Sequence, residues 1–412
     1  MDQIVTTGPA RGWPDGLTRV PFWVYQDPDI QDREQNLLFE GPVWNFLCLE
    51  TEIASAGDWR TTYVGRMPVV VVRTEDGGIA AFENRCAHRG ALICFDNAGK
   101  GARDFTCAYH SWRYDLYGTL RSVAFQRGVN GKGGMPPHFR PEQHGPRKLR
   151  VTTLCGLVFG TLSPDTPDIE IYVGPEVLER VQRIAARKME IIGRFTEVLP
   201  NNWKLYAENA RDAYHASLLH VFFATFRINR LSQKGGLKVS PDGGSHVAET
   251  FAPDATADTT YAGLRSVDDE LRLSDPRMLN AAPEHNDGIQ QQIITIFPNL
   301  AVVRTRNALA VRHFLPRGTA EMDLHWRYFG YADDSPELRA SRLRQLNLTG
   351  PAGFISLEDG CIGGFIERGI AAAADQYEML QMGGEGTESQ DNRVSESAIR
   401  GFWRKWREVM GI

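Results

Sequence analysis

Cys86-Ala87-His88 is followed, after eighteen residues, by Cys107-Ala108-Tyr109-His110, and this pairing constrains the chain more than any other feature. Each short segment offers one thiol and one imidazole. Two thiolates and two imidazoles in mixed pairs are the donor set of a two-iron, two-sulfide cluster with two Cys on one iron and two His on the other. The imidazoles are neutral where thiolates are charged, so such a cluster has a higher potential than an all-Cys one. A structural zinc ion also accepts Cys2His2. Zinc loops, however, pair Cys with Cys and His with His. Here each loop gives one of each, and both carry residues suited to a cluster: Arg89-Gly90 after the first, Tyr109 and Trp112 around the second.

The 412 residues are 42% apolar and 24% charged, as in a folded protein of about two domains. A formal charge of −5 gives no electrostatic case for nucleic acid. No apolar run reaches the length of a membrane span. Met1 to Gly16 lacks the charged-then-apolar pattern of a signal peptide, and the cytoplasm is the simplest compartment. Cys48, Cys94, Cys155 and Cys361 lie scattered and read as buried thiols rather than disulfides.

Residues 29–41 read as a short helix, closing an N-terminal helical segment (1–40). Short β-rich runs follow at 43–49, 58–64, 68–73 and 79–84, punctuated by Gly and Asp as in a small all-β domain, here 41–163. Runs at 148–151 and 156–161 close it before the breaker Ser163-Pro164-Asp165-Thr166-Pro167. A second domain, 164–412, opens with a helix near 175–188 and a strand at 190–199. A strongly helical segment is expected over 203–226, then an irregular stretch over 227–287. Alternation from 289 to 331 predicts a half-buried antiparallel meander. Ser335-Pro336 starts one helix, and residues 395–410 form another.

A second metal site is written into Glu208-Asn209-Ala210-Arg211-Asp212-Ala213-Tyr214-His215 and His220. An acidic residue three before one His, and a second His five later, reach one side of a helix if its last turn loosens. Two His and one carboxylate bound facially leave open positions on iron(II). Asp212 is either the third ligand or the group that orients His215 through its free ring N–H.

These residues together resemble the α subunit of Rieske non-haem iron ring-hydroxylating oxygenases: Cys86/His88/Cys107/His110 with NNWKLYAENARDAYHASLLH, over nearly the whole chain. The resemblance implies an α+β fold: an all-β Rieske domain, then an antiparallel sheet covered by helices in the helix-grip manner. It implies a Rieske [2Fe-2S] cluster held by Cys86, His88, Cys107 and His110, and a mononuclear Fe(II) held by His215, His220 and Asp359. Asp359 lies in GPAGFISLEDG, where many relatives have two consecutive Asp and this chain has Glu358-Asp359, so Glu358 competes for the role. Asp212 becomes the carboxylate linking His215 to His110 of a neighbouring subunit. An α3 ring follows, commonly capped by a small β subunit as α3β3. Electrons come from NADH through a separate reductase, with or without a ferredoxin, since no G-x-G-x-x-G follows a strand here.

Within the family, VWNFLCLETEI, ENRCAHRGALI, RLSQKGG, GPAGFISLEDG and RGFW most resemble the branch acting on terephthalate, with anthranilate, salicylate and ortho-halobenzoate oxygenases as neighbours. The implied reaction uses O2 to cis-dihydroxylate an aromatic carboxylate. A carboxylate substrate calls for arginine, which pairs with it through two hydrogen bonds. Arg312 and Arg393 resemble the carboxylate-holding arginines of that branch, and Arg304 and Arg306 are competing candidates.

Overall fold

The computed structural model describes residues 12–412 except 186, 255–257 and 352. Residues 1–11 of the expected N-terminal segment lie outside the described residues.

Val69 to Val72 are all fully buried, because their strand, Met67–Arg73, runs through the middle of a seven-stranded antiparallel sheet. In spatial order its strands are Asn45–Leu49, Leu157–Thr161, Lys148–Leu154, Ile79–Glu83, Met67–Arg73, Trp59–Val64 and Ala98–Gly99. A three-stranded sheet, Phe105–Thr106, Arg113–Tyr114 and Leu120–Ser122, packs beside it. Val70, Val72, Phe82, Phe105, Tyr114 and Leu120 form the core between them, and Cys86 and Cys107 belong to the same cluster.

The second seven-stranded sheet, also antiparallel, has the spatial order Met189–Leu199, Met322–Tyr331, Ala308–Pro316, Leu300–Thr305, Ile289–Ile296, His246–Phe251 and Gly235–Val239. The four strands from Ile289 to Tyr331 form the antiparallel meander that alternation suggests, but they are buried on both faces rather than half-buried. All nine residues of Ala308–Pro316 are buried. One face carries the helices that hold the second donor set. The other packs on helix Pro175–Ala185, through Arg180 to Glu249 and Arg183 to Gln292, and on the first domain, where Phe46 meets His313 with ring centres 5.3 Å apart. With both faces covered, polar positions such as Gln292 and His313 are buried too.

Two further expectations need correction. Residues 227–287 are not wholly irregular, because Gly235–Val239 and His246–Phe251 complete the sheet. Residues 203–226 do not form one helix. They break into Trp203–Asn209, Ala216–Leu219 and Val221–Thr225. Asp212 Oδ1 accepts from the backbone N–H of Tyr214 (2.9 Å) and of His215 (3.3 Å), which offers the backbone a turn in place of the next helical bonds.

Helix Pro28–Arg33 continues as a π-helical turn, Glu34–Phe39. The buried Glu34 accepts from the indoles of Trp203 (3.0 Å) and Trp406 (2.9 Å) and pairs with Lys204 at 2.9 Å. Between the two sheets, the side chain of Glu52 is wholly buried and meets Arg60 (3.2 Å) from the first sheet and Arg194 (3.0 Å) and Arg327 (2.9 Å) from the second. Burial alone would raise its pKa. Arg327 and Arg60, with the backbone N–H of Leu49, instead hold it below the usual carboxylate value.

Candidate active site with two metal centres

The two Cys/His loops are built alike. Gly90 N–H returns to the Cys86 carbonyl and Ser111 N–H to the Cys107 carbonyl, both at 2.9 Å. Both turns need a residue at positive φ, Gly90 at +76° and Ser111 at +54°. This folds each segment so that its Cys faces the core while its His stays outside. Cys86 and Cys107 are 4% and 1% exposed. His88 Nδ1 and His110 Nδ1 face each other at 3.1 Å. Two nitrogens at that separation suit one metal with bonds of about 2.1 Å. Tyr114 donates its hydroxyl to Cys86 Sγ (3.2 Å), and the Trp112 ring stacks on His88 with centres 4.7 Å apart. Arg89 lies over the exposed Tyr109 ring. Buried thiols on one side and paired imidazoles on the other fit an asymmetric two-iron cluster.

In the second domain the broken helical segment brings His215 and His220 beside Asp359, from the first turn of helix Ser356–Ile370. One donor atom from each lies within 4.8 Å of the others. Asp359 Oδ1 is 3.4 Å from His215 Nε2 and 3.2 Å from His220 Nε2. The outward nitrogens are held by other carboxylates: His215 Nδ1 lies 3.1 Å from Asp212 Oδ2, and His220 Nδ1 lies 2.7 Å from Glu358 Oε2. Imidazoles fixed through one nitrogen, with the other aimed at a shared point, are the arrangement of a metal site. Asn209 Nδ2 donates to Asp359 Oδ1 (3.3 Å).

The electrostatics agree. Burial opposes a charge on His215, yet Asp212 and Asp359 together push its pKa up to about 10. For Asp359 burial favours the neutral acid, but the two imidazoles beside it hold its pKa far below normal. A field that would grip a proton this tightly is set for a cation. Glu358 and Asp212 therefore occupy outer positions, on the far side of the imidazoles.

Beneath these residues the inner face of the sheet forms a pocket floor in rows fixed by the strand register. One row is His246, Thr295, Ala301, Arg312, the next Ala248, Ile293, Val303, and the third Thr250, Gln291, Thr305. Alanine at 248 and 301 leaves room above the sheet. Arg312 donates to Tyr206 Oη (3.2 Å) and Ser356 Oγ (3.3 Å), and sits 4.2 Å from the Trp326 ring centre. Arg393 lines the same pocket from beyond the third row. It donates to Asn229 Oδ1 and to the carbonyls of Arg230 (2.5 Å) and Gln233 (3.1 Å), and burial pushes its pKa down to about 10. A Cβ on Gly235 would come within 2.5 Å of Arg393 Nε, so that position has no room for a side chain. Neither arginine has a carboxylate within ion-pair distance among the described residues.

Arg304 and Arg306 are not brought to the pocket. Arg304 points to the opposite face and donates to the Ile289 carbonyl (2.8 Å), and Arg306 sits in the turn after its strand. Asn209, Tyr206 and Ser356 escaped the sequence reading, because nothing in their spacing links them to partners 44 to 150 positions away. Cys361 is exposed, not buried as expected; Cys48 and Cys94 are buried, and Cys155 is half-buried.

Comparison with known proteins agrees. Residues 43–131 match the Rieske [2Fe-2S] domain, and residues 178–412 match the ring hydroxylating alpha subunit (catalytic domain). The α 2 subunit of the terminal oxygenase component of terephthalate 1,2-dioxygenase from a Comamonas species is 52% identical, covering 96% of each chain. The anthranilate 1,2-dioxygenase large subunit of Burkholderia cepacia is 42% identical, covering 96% of this chain and 94% of that one. Naphthalene 1,2-dioxygenase from a Rhodococcus species, solved with indole, shares the fold with a TM-score of 0.79 over 95% of this chain and 94% of that one, at 22% identity. Enzymes of this kind carry a Rieske cluster and a mononuclear iron and work with a reductase, often with a β subunit in an oligomer. No helix among the described residues is long and apolar enough to cross a membrane. The chain belongs to the family of ring-hydroxylating oxygenase α subunits, with its Rieske domain before its catalytic domain.

Proposed function

We propose that this α subunit cis-dihydroxylates an aromatic dicarboxylate, terephthalate, with O2 and electrons derived from NADH. The observation that carries the reading is the placement of Arg312 and Arg393 at opposite ends of one pocket floor, beneath His215, His220 and Asp359. Arg312 stands in the row of Ala301, and Arg393 packs against Gly235 beside the row of Thr250 and Thr305. Those rows are four residues apart along the strands, and Arg312 and Gly235 lie on strands four places apart, so the two arginines enter the pocket from diagonally opposite corners of its floor. Two guanidiniums so placed suit a flat ring with a carboxylate at each end. The 52% identity to a terephthalate enzyme supports the same substrate.

In this reading Cys86, His88, Cys107 and His110 hold the cluster, and His215, His220 and Asp359 hold the iron. When bound, these groups supply the one-electron chemistry that ground-state oxygen requires. The chain's own residues do the rest. Arg312 and Arg393 fix both ends of the ring, so that one edge faces the donor triad. The apolar floor at Ala248, Ile293 and Val303 excludes water around the ring. Asp212 holds His215 and offers a hydrogen-bonded path towards His110 of a neighbouring copy, in an α3 or α3β3 ring. An NADH-dependent reductase, with or without a ferredoxin, completes the system in the cytoplasm.

Product identification by mass spectrometry tests this. The purified chain with its partners, a compatible reductase, NADH and oxygen is offered terephthalate, anthranilate, salicylate and 2-chlorobenzoate. A dihydrodiol from terephthalate alone is expected. Turnover of an ortho-substituted monocarboxylate instead would keep the oxygenase and overturn the two-arginine clamp. Arg393→Gln should raise KM for terephthalate about thirtyfold, since a hydrogen bond to a charged group contributes about 2 kcal/mol.

A further inference from the structure

Glu208 and Glu378 stand outside the machinery above. Glu208 lies in helix Trp203–Asn209 and Glu378 in the short strand Tyr377–Met379, which pairs with Arg19–Pro21. The Tyr25 hydroxyl bridges them, 2.7 Å from Glu208 Oε1 and 3.0 Å from Glu378 Oε1. A phenol has one proton to donate, so it cannot satisfy two ionised carboxylates at once. Trp403 Nε1 also donates to Glu208 Oε1 (2.5 Å). Glu208 thus receives two donors and is the natural anion. Glu378 has no N–H donor to its carboxyl among the described residues, and its contact with Tyr25 is satisfied when Glu378 carries the proton and donates it.

The surroundings favour that proton. Lys204 is paired with Glu34, and Arg265 stands at the exposed edge of the cavity that Glu378 lines, with no hydrogen bond or ion pair to Glu378 among the described residues. Glu396, just before the last helix, adds negative charge, and the Arg400 beside it is spent on the carbonyls of Gly386, Leu380 and Met382. Burial, then the facing Glu208, raise the pKa of Glu378 well above normal; burial drives that of Glu208 up to about 7 against the donors from Tyr25 and Trp403. Both carboxyls line a cavity of about 500 Å³ whose other walls include Asp212, His215, Asp359 and Glu396. A cavity of that size, with several carboxylates among its apolar walls, admits water.

We propose that Glu378, sharing a proton with Glu208 across Tyr25, is a proton-holding group for the oxygenation and feeds the reaction site through this cavity. The inference rests on the family's ring-hydroxylating activity and is independent of which arene is the substrate. Adding both atoms of O2 to an arene as a cis-diol consumes two electrons, from NADH through the reductase, and two protons. Once for each of the two hydroxyls the Glu378 O–H bond breaks, its proton passes through cavity water to a product hydroxyl oxygen, and a proton from bulk water restores the acid.

The test uses the assembled enzyme with its reductase and its best substrate. Glu378→Gln keeps the size and a hydrogen bond to Tyr25 but holds no acidic proton. It should lower kcat about a hundredfold, the scale of one positioned proton donor, with KM, iron content and cluster spectrum unchanged. In the wild type kcat falls as pH rises through the acid's pKa, and this fall should vanish in the variant and return in Glu378→Asp. A carboxylic-acid carbonyl band in the infrared at neutral pH should be missing from the variant. An unchanged pH profile, whatever the rate, would overturn the proposal. If Glu378→Gln does not fold, Tyr25→Phe removes the shared hydroxyl and must shift that infrared band; an unshifted band overturns it equally.

Discussion

Cys86, His88, Cys107 and His110 hang from two tight turns between short strands, whereas His215, His220 and Asp359 meet where broken helices and a long helix cross a sheet. In the first set the sulfurs are buried and the imidazoles face outward, with Tyr109 beside them 58% exposed. In the second, His220 and Asp359 are 2% and 5% exposed, and every imidazole nitrogen not aimed at the centre is held by a carboxylate. The difference follows from what each must exchange. An electron crosses through the edge of an exposed ring without opening the protein. A small molecule must be enclosed, and its centre must be fixed on all sides before it arrives.

The largest effects should separate the two regions completely. Asp359→Ala is expected to abolish product formation and the mononuclear iron while the visible spectrum of the cluster survives. Cys107→Ser should do the reverse, bleaching the cluster while iron analysis still finds the mononuclear metal. Loss of both metals in either variant would mean that the regions fold as one unit around their metals.

Glu52 measures how firmly the regions are joined. Glu52→Gln leaves the buried Arg327 and the largely buried Arg60 without their carboxylate, with Arg194 open to solvent; removing one partner of such a buried pair costs about 3–5 kcal/mol. Urea unfolding followed by cluster absorbance and by tryptophan fluorescence should then split into two transitions. The same contact sets an acid limit. Because the folded pKa of Glu52 is depressed, its contribution is fully present above its unfolded pKa and is lost as pH falls through the folded one. The wild type should therefore show the split only below the ordinary glutamate pKa, where Glu52 takes up its proton, and Glu52→Gln should lose that pH dependence.

The smallest expected effect is chemical. With the cluster in place, Cys361 should label with a thiol reagent far ahead of Cys48 and Cys94, whose pKa values burial raises, that of Cys94 to about 12. Equal labelling would mean that the first domain opens readily.

The two regions were also unequally legible. The Cys/His loops lie within 25 residues and could be read directly, as could the six longer strands around them, most to within a residue or two. His215 and His220 stand five apart and were legible too, although the chain achieves that geometry by breaking the helix that the local pattern predicts. Asp359 came only through resemblance, since no periodicity connects it to His215. The strand Gly235–Val239 was hidden because two glycines open it, and its reason for glycine, the approach of Arg393, lies over 150 residues away. The bridge from Tyr25 to Glu378 spans 353 positions and leaves no local trace.

Arg312 and Arg393 carry one last consequence. Each is lodged on neutral oxygens, with no carboxylate at ion-pair distance among the described residues. The ligand-free protein thus holds an electrical debt, and a dianionic substrate would be the counter-ion that discharges it. At a hundred times its dissociation constant such a molecule adds about 2.7 kcal/mol to folding stability. Terephthalate should therefore raise the melting temperature visibly, while its neutral dimethyl ester should not. Selectivity would then show itself before any chemistry, as a requirement for electroneutrality in the interior.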